Sequence, residues 1–155
     1  MKRFRVVATG GTFDEIHAGH VALLSKAFEV GDKVIIGVTS DEFIEGKKKI
    51  NHDFSRRVAN LKEMIKREFG SVNYEIAKLD NEFGPAVTTG DVGALVASAE
   101  TQEKGSKLNE IRKKNGLAPA QIIAVPHIKA EDGKPISSTR IRAGEIDRNG
   151  RLLKA

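Results

Sequence analysis

Apolar positions along the chain follow two alternating rhythms. Short runs that are apolar almost throughout occur at Arg5–Thr9, Lys33–Thr39, Asn73–Lys78, Gly93–Ala97 and Gln121–Val125, and their length and β-branched content predict buried strands. Longer stretches between them carry apolar residues at helical spacing. Gly19–Val30 has Val21, Leu24, Ala27 and Phe28 in register and stops at Gly31-Asp32. Phe54–Phe69 sets Val58, Leu61 and Ile65 on one face and closes at Gly70; Lys107–Asn115 reads as a helix ended by Gly116, and Ser137–Ala143 as a last turn or two. Strands apolar on both sides, separated by helices, predict one α/β domain over residues 1–155. Its core is a five-stranded parallel, Rossmann-like sheet with helices on both faces, and residues 149–155 form a loose tail.

Parallel sheets of this kind bind ligands beyond the carboxyl ends of their strands. The chemically distinctive residues follow predicted strand ends: Gly10–His20, Ser40–Lys49, Ser98–Thr101 and His127–Arg142. That convergence locates a site before any family is considered.

Composition narrows the partners. No apolar run approaches the ~18 residues of a membrane span, and the first ten residues lack the apolar stretch of a secretory leader. The chain has no cysteine, which rules out disulfide and thiolate chemistry and fits a cytoplasmic setting. A net charge of +5 suits a polyphosphate or nucleic-acid partner, or simple solubility. With one Tyr and no Trp there is no aromatic platform for bases, so neither nucleic acid nor membrane is an expected partner.

The segment Gly10–His20 reads GGTFDEIHAGH and matches neither G-x-G-x-x-G nor the P-loop pattern. His17 and His20, three residues apart, share a face at the start of a helix, where the helix dipole disfavours protonated imidazole. On this reasoning His20 contributes nothing to folding. Gly19 costs about 1 kcal/mol against Ala inside a helix, a cost that makes sense if a ligand approaches the backbone there. Two donors beside a helix N-terminus form a phosphate cradle. A histidine metal pair and incidental surface histidines are the bland alternatives; no third ligand with matching spacing is evident. Asp14 reads as a helix N-cap ahead of a catalytic acid, and Thr12 as a phosphate contact or a turn residue. Further on, Ser137, Ser138 and Thr139 precede a short helix, with Arg142 one turn later on the same side: an anion site, or an ordinary cap. Lys47, Lys48 and Lys49 are a solvated loop or a phosphate contact.

Taken together these segments resemble a known family. GTFDEIHAGH contains the HxGH signature of the nucleotidyltransferase superfamily as His17-Ala18-Gly19-His20, and ISSTRIR at Ile136–Arg142 is similar to that superfamily's ISSTxxR signature. GVTSDE at Gly37–Glu42, the lysine run, FGPA at Phe83–Ala86 and LVASAET at Leu95–Thr101 resemble the archaeal and eukaryotic form of phosphopantetheine adenylyltransferase. The resemblance covers nearly the whole chain in order.

It implies reversible transfer of AMP from ATP to 4′-phosphopantetheine, giving dephospho-coenzyme A and pyrophosphate, in the cytoplasm, by a monomer or small homo-oligomer. It implies that Thr12, Phe13, His17, His20, Ile136, Ser137, Ser138, Thr139 and Arg142 bind ATP, and that Thr12 and Lys48 hold the acceptor phosphate. His20 and Lys48 are the catalytic residues, with Lys47 and Lys49 as alternatives to Lys48. Mg²⁺ is expected to arrive with ATP, because no carboxylate cluster is evident to hold a resident metal. Two departures stand out. The bacterial enzymes carry an acceptor-phosphate arginine after the fourth strand, where this chain reads ASAETQEKGSK, leaving Lys104, Lys107 or Arg112 to replace it. The arginine-threonine pair typical of cytidylyltransferases is missing from GKPISSTR, which argues for ATP over CTP. The runner-up function is an adenylyl- or cytidylyltransferase acting on another phosphorylated acceptor, such as glycerol phosphate or FMN. A class I aminoacyl-tRNA synthetase shares the HxGH pattern but needs parts that 155 residues cannot hold. A nucleotide-binding regulator, or a basic nucleic-acid-binding domain with salt-sensitive binding to random DNA, is the non-enzymatic rival.

Overall fold

Five strands form one sheet, every ladder parallel. A computed structural model gives the structure and describes residues 3–46, 50–81, 83–84, 91–98 and 102–153. In chain order the elements are β1 (Phe4–Gly11), α1 (Ala18–Val30), β2 (Gly31–Thr39), α2 (Asp41–Ile44), α3 (Phe54–Phe69), β3 (Tyr74–Leu79), β4 (Val92–Ser98), α4 (Gln102–Lys114), β5 (Gln121–Val125) and α5 (Ser138–Arg142). The chain builds outward from β1 to β3 on one side, then returns to place β4 and β5 on the other. The direction reverses between β1 and β4, and that switch point is where such sheets open a crevice.

Burial explains the apolar runs. Along β2, Val34, Ile36 and Val38 face a core shared with Leu24, Ala27 and Phe28 of α1 and with Leu61, Met64 and Ile65 of α3. Ile35 points the opposite way, into a second cluster with Ala8, Val92, Leu108 and Ala120 under α4. Both faces are therefore covered, as predicted. The stops at Gly70 and Gly116 also agree with the sequence: both have φ near +70, at 70° and 74°, a region that a residue with a Cβ enters only under strain.

The structure differs from the sequence reading in two places that matter below. Helix α4 starts at Gln102 rather than Lys107. A glycine inside a helix weakens it, but a Cβ at Gly105 would lie 2.5 Å from Cγ1 of Ile122. The missing side chain is what lets the helix press onto β5. The tail expected to be loose is tied down as far as Leu153: Glu131 N donates to Gly150 O at 2.9 Å, and Leu153 N donates to Glu145 O at 2.9 Å. Ile146 anchors it, packed with Ala130 and Ile136 in a small third cluster that Ala18 of α1 joins.

Candidate active site

Helix α1 begins beyond the carboxyl end of β1, and His17 caps it from an extended backbone (φ −147, ψ 179). Its Nδ1 accepts the Gly19 N–H at 3.0 Å. His20, at the third helical position, accepts the His17 N–H on its own Nδ1 at 3.2 Å. The two rings lie with centroids 3.9 Å apart. With both Nδ1 atoms occupied as acceptors, the neutral rings carry their protons on Nε2. The result is a pair of N–H donors fixed in tautomer by the cap itself. Gly19 has a reason that the sequence did not suggest: a Cβ there would sit 2.8 Å from Cε1 of His17. The space a side chain would need is already taken by the neighbouring imidazole.

Both rings stay neutral at pH 7. Burial lowers the His17 pKa to about 4, helped by the positive charge of Arg148. For His20, burial, then His17, then Arg148 push the value well below 6.5. Phe13 backs His20, with ring centroids 4.9 Å apart. It is buried and adopts φ 54, uncommon for a residue with a Cβ and of the sort that persists where the surroundings over-determine it.

The second signature comes to the same place from the far end of the chain. Ser137 caps α5 by accepting the Arg140 N–H at 3.2 Å, and Ser138 Oγ donates to the carbonyl of Glu15 at 3.2 Å. Arg142 Nη1 donates to Asp14 Oδ2 at 2.9 Å, and its Nη2 to Thr139 Oγ1 at 3.4 Å. Thr12 meets Thr39 of β2, hydroxyl to hydroxyl, at 3.4 Å. Of the residues singled out in sequence, Thr12, Phe13, His17, His20, Ser137, Ser138, Thr139 and Arg142 gather at this edge. The Ile136 side chain is core, packed on Ala130 and Ile146, so only its main chain is left to meet a nucleotide. Lys47, Lys48 and Lys49 lie outside the described residues, as do Ala99–Thr101.

Asp14 is not the helix cap that the sequence suggested, since His17 takes that position. Its carboxylate is buried and accepts the N–H groups of Asn51 and His52. Burial alone would raise its pKa, but those bonds, the His52 side chain and Arg142 together hold it below the usual carboxylate value. Asp14, Glu15 and His52 gather within 4.8 Å, a carboxylate-bearing cluster that the sequence did not reveal because His52 is distant in the chain. Its charge is already matched: Asp14 pairs with Arg142 and Glu15 with Arg148, each at 2.9 Å. A cluster neutralised by two arginines is a poor resident metal site.

A family profile described as Cytidylyltransferase-like matches residues 8–144. The phosphopantetheine adenylyltransferase of Methanothermobacter thermautotrophicus is 42% identical over 153 residues, covering 99% of this chain and 92% of that protein. That of Methanosarcina acetivorans is 46% identical over 150 residues, covering 96% of each. The chain belongs to the phosphopantetheine adenylyltransferase family. A crystal structure of a protein with unknown function from Archaeoglobus fulgidus superposes with a TM-score of 0.71 at 35% identity, covering 81% of this chain and 89% of that one. Pantothenate synthetase from Thermus thermophilus shares the fold at 16% identity, with a TM-score of 0.57 over 91% of this chain and 62% of that one.

For a member of this family, three residues that the sequence reading passed over hold the site together. Arg57 of α3 is fully buried, and its guanidinium donates to Thr12 O at 2.8 Å, His52 O at 3.1 Å and Asp41 Oδ1 at 2.8 Å. It fastens the segments that follow β1 and β2 to the start of α3. A signal existed: Arg57 falls on the apolar stripe of α3 with Leu61 and Met64, and a charge on such a stripe needs partners. Glu15 and Arg148 are the others. Arg148 Nη1 donates to Ile16 O at 2.8 Å, while its own carbonyl accepts the Ala18 N–H at 3.2 Å, one of the orphan amides at the start of α1. Nothing in the local sequence of the tail marks Arg148, because its partners are more than a hundred residues away.

Of the candidates for the missing acceptor arginine, the side chain of Lys104 lies outside the described residues. Arg112 Nε donates to Ala118 O at 2.8 Å, just ahead of β5. That is the amino end of the strands, opposite the histidines, so Arg112 is a structural clip and cannot hold the acceptor. Lys107 lies exposed on the second turn of α4.

Proposed function

We propose that this chain catalyses reversible adenylyl transfer from ATP to 4′-phosphopantetheine, forming dephospho-coenzyme A and pyrophosphate. The observation that carries the proposal is the histidine pair. Two neutral Nε2–H donors, locked by their own helix cap, stand at the sheet's switch point beside the ISST turn and Arg142. Full-length relatives named for this activity support it.

The chemistry needs no general base. A phosphate monoester has a second pKa near ~6, so the acceptor is already a dianion at neutral pH. One of its oxygens attacks the α-phosphorus, a new P–O bond forms, and the bond to the bridging oxygen breaks with its electron pair leaving on pyrophosphate. The protein's task is to align two anions and stabilise the charge that builds on the α-phosphate. His20 donates to that phosphate, with His17 beside it on the nucleotide. A neutral donor suits the task, because protonation of Nδ1 would eject the backbone N–H that orients the ring. Thr12 and Lys48 hold the acceptor phosphate, with Lys47 and Lys49 as alternatives. The amides of the Ser137–Thr139 turn and Arg142 take the pyrophosphate, and Phe13 and Ile136 meet the nucleotide through their main chains. Mg²⁺ enters on the ATP phosphates, since the protein carboxylates nearby are already paired with arginines.

Among the described residues no helix is long and apolar enough to cross a membrane. We read the reaction as cytoplasmic and the chain as a monomer or small homo-oligomer. Pyrophosphate release is measured with ATP or CTP against 4′-phosphopantetheine, glycerol 3-phosphate and FMN. The expected result is activity with ATP and 4′-phosphopantetheine, at least about tenfold above CTP, the discrimination that one or two lost contacts produce. Equal rates with CTP, or a preference for another acceptor, would overturn the assignment.

A further inference from the structure

One carboxylate touches both sides of the site. Asp14 Oδ1 accepts from Asn51 N at 3.1 Å, from His52 N at 2.9 Å and from His52 Nδ1 at 3.0 Å. Its Oδ2 accepts from Asn51 N at 2.9 Å and from Arg142 Nη1 at 2.9 Å. The first set holds the residues that follow the lysine run in the chain; the second reaches the arginine after the ISST turn. Asn51 receives a further hold, its Nδ2 donating to Glu15 Oε1 at 2.9 Å. Only Ile50 separates the anchored Asn51 from Lys49, so the end of the run stays within about 7.6 Å of the anchor by chain length alone.

We propose that Asp14 is a positioning residue that couples the acceptor side of the site to the pyrophosphate side, by holding the Asn51-His52 turn and Arg142 on one buried carboxylate. The inference rests on the adenylyl-transfer reading above. In-line displacement requires the attacking and leaving oxygens to sit on opposite sides of the α-phosphorus at a fixed separation. A 1 Å misplacement can cost roughly 10²-fold in rate. A turn at Asn51-His52 on one side and a five-residue helix on the other do not fix that separation by themselves. A group bonded to both does. Its shape also matters: the backbone and arginine partners of Asp14 are all donors, so the single oxygen of an asparagine satisfies one side and turns an NH₂ group against the other.

Two measurements test it, and the first does not depend on activity. In Arg142→Gln, amide hydrogen exchange is followed at Asn51 and His52, which bond Asp14 and not Arg142. Acceleration of at least tenfold at these two amides, with Val34–Val38 of β2 unchanged within twofold, is the expected result. Unchanged exchange at Asn51 and His52 would overturn the coupling. The second measurement crosses the substrates. Arg142→Gln should raise KM for 4′-phosphopantetheine, and His52→Ala should raise KM for pyrophosphate in the reverse reaction, each at least threefold. In Asp14→Asn both KM values start high, and adding Arg142→Gln should leave the acceptor KM within twofold. Crossed KM values that stay within twofold of the unsubstituted enzyme, in variants that fold, would show that Asp14 is a structural anchor only. A wild-type chain with no adenylyl transfer would sink the functional assignment, and the exchange result would still decide the role of Asp14.

Discussion

Replacing His20 separates catalysis from folding, because the structure gives this side chain both tasks through different atoms. Its Nδ1 accepts the His17 N–H at 3.2 Å and closes the cap of α1, while its ring packs 4.9 Å from that of Phe13. Its Nε2–H is the proposed donor to the α-phosphate. His20→Ala removes both functions. Loss of the cap bond costs about 1 kcal/mol, which for a chain of this size lowers Tm by about 2–4 °C. The sequence alone pointed to no loss at all, since it showed a histidine against a helix dipole but not the bond that the histidine accepts. Loss of one donor to developing charge costs about 10²–10³ in rate, or ~2.7–4 kcal/mol, and it falls on kcat more than on ATP binding. His20→Glu isolates the two effects. Glutamate at the third helical position is the usual partner of a capping box and favours the helix dipole, so the fold should keep its Tm. Its carboxylate faces an anionic phosphate, so turnover should fall below that of His20→Ala. Thermal melts, ATP affinity and pyrophosphate release on the three proteins suffice. An alanine variant that melts several degrees lower yet turns over normally per folded molecule would make His20 a packing residue. A glutamate variant with wild-type turnover would remove the donor role altogether.

The histidine cap also sets a pH dependence. In the unfolded chain both imidazoles take up protons below about pH 6.5, whereas folded His17 holds out to about 4 and burial also keeps His20 well below its ordinary value, so their stabilising contribution is whole above pH 6.5 and declines as pH falls toward 4. The ring carbon resonances of His17 should titrate with a midpoint near 4, and a midpoint above 6 would contradict the burial argument. Arg57→Met should cost about 3–5 kcal/mol, because it strands the carbonyls of Thr12 and His52 and the Asp41 carboxylate; a denaturant midpoint equivalent to less than about 1 kcal/mol would mean that water replaces the guanidinium. Gly105→Ala should destabilise by about 1–3 kcal/mol despite alanine's better helix propensity, because of the 2.5 Å approach to Ile122. Combining it with Ile122→Ala should cost less than the sum of the two, and strict additivity would rule out the clash.

Local patterns in the chain are enough to read the sheet, the helices that cover it, and the edge at which the site lies. Apolar runs such as Lys33–Thr39 and stripes such as Val58-Leu61-Ile65 are local patterns, and burial on both faces leaves them few arrangements. The HxGH and ISSTxxR segments likewise carry their residue types in short spans. The structure brings the described members of both to one place. What it alone decided is how that place is held. The partners of Asp14 are Asn51, His52 and Arg142, those of Arg57 are Thr12, His52 and Asp41, and Glu15 meets Arg148. Each of these pairings except Arg57–His52 spans more than a dozen residues, so no local spacing records it. The helix cap shows the same limit at close range. Within GTFDEIHAGH the sequence left the cap to Asp14, but its bonds to Asn51, His52 and Arg142 draw Asp14 into the interior and leave His17 at the helix start. A local preference for a carboxylate cap is worth about 1 kcal/mol. Leaving the buried Asp14 carboxylate without its partners costs several times more, so Asp14 goes to Arg142 and the cap falls to His17.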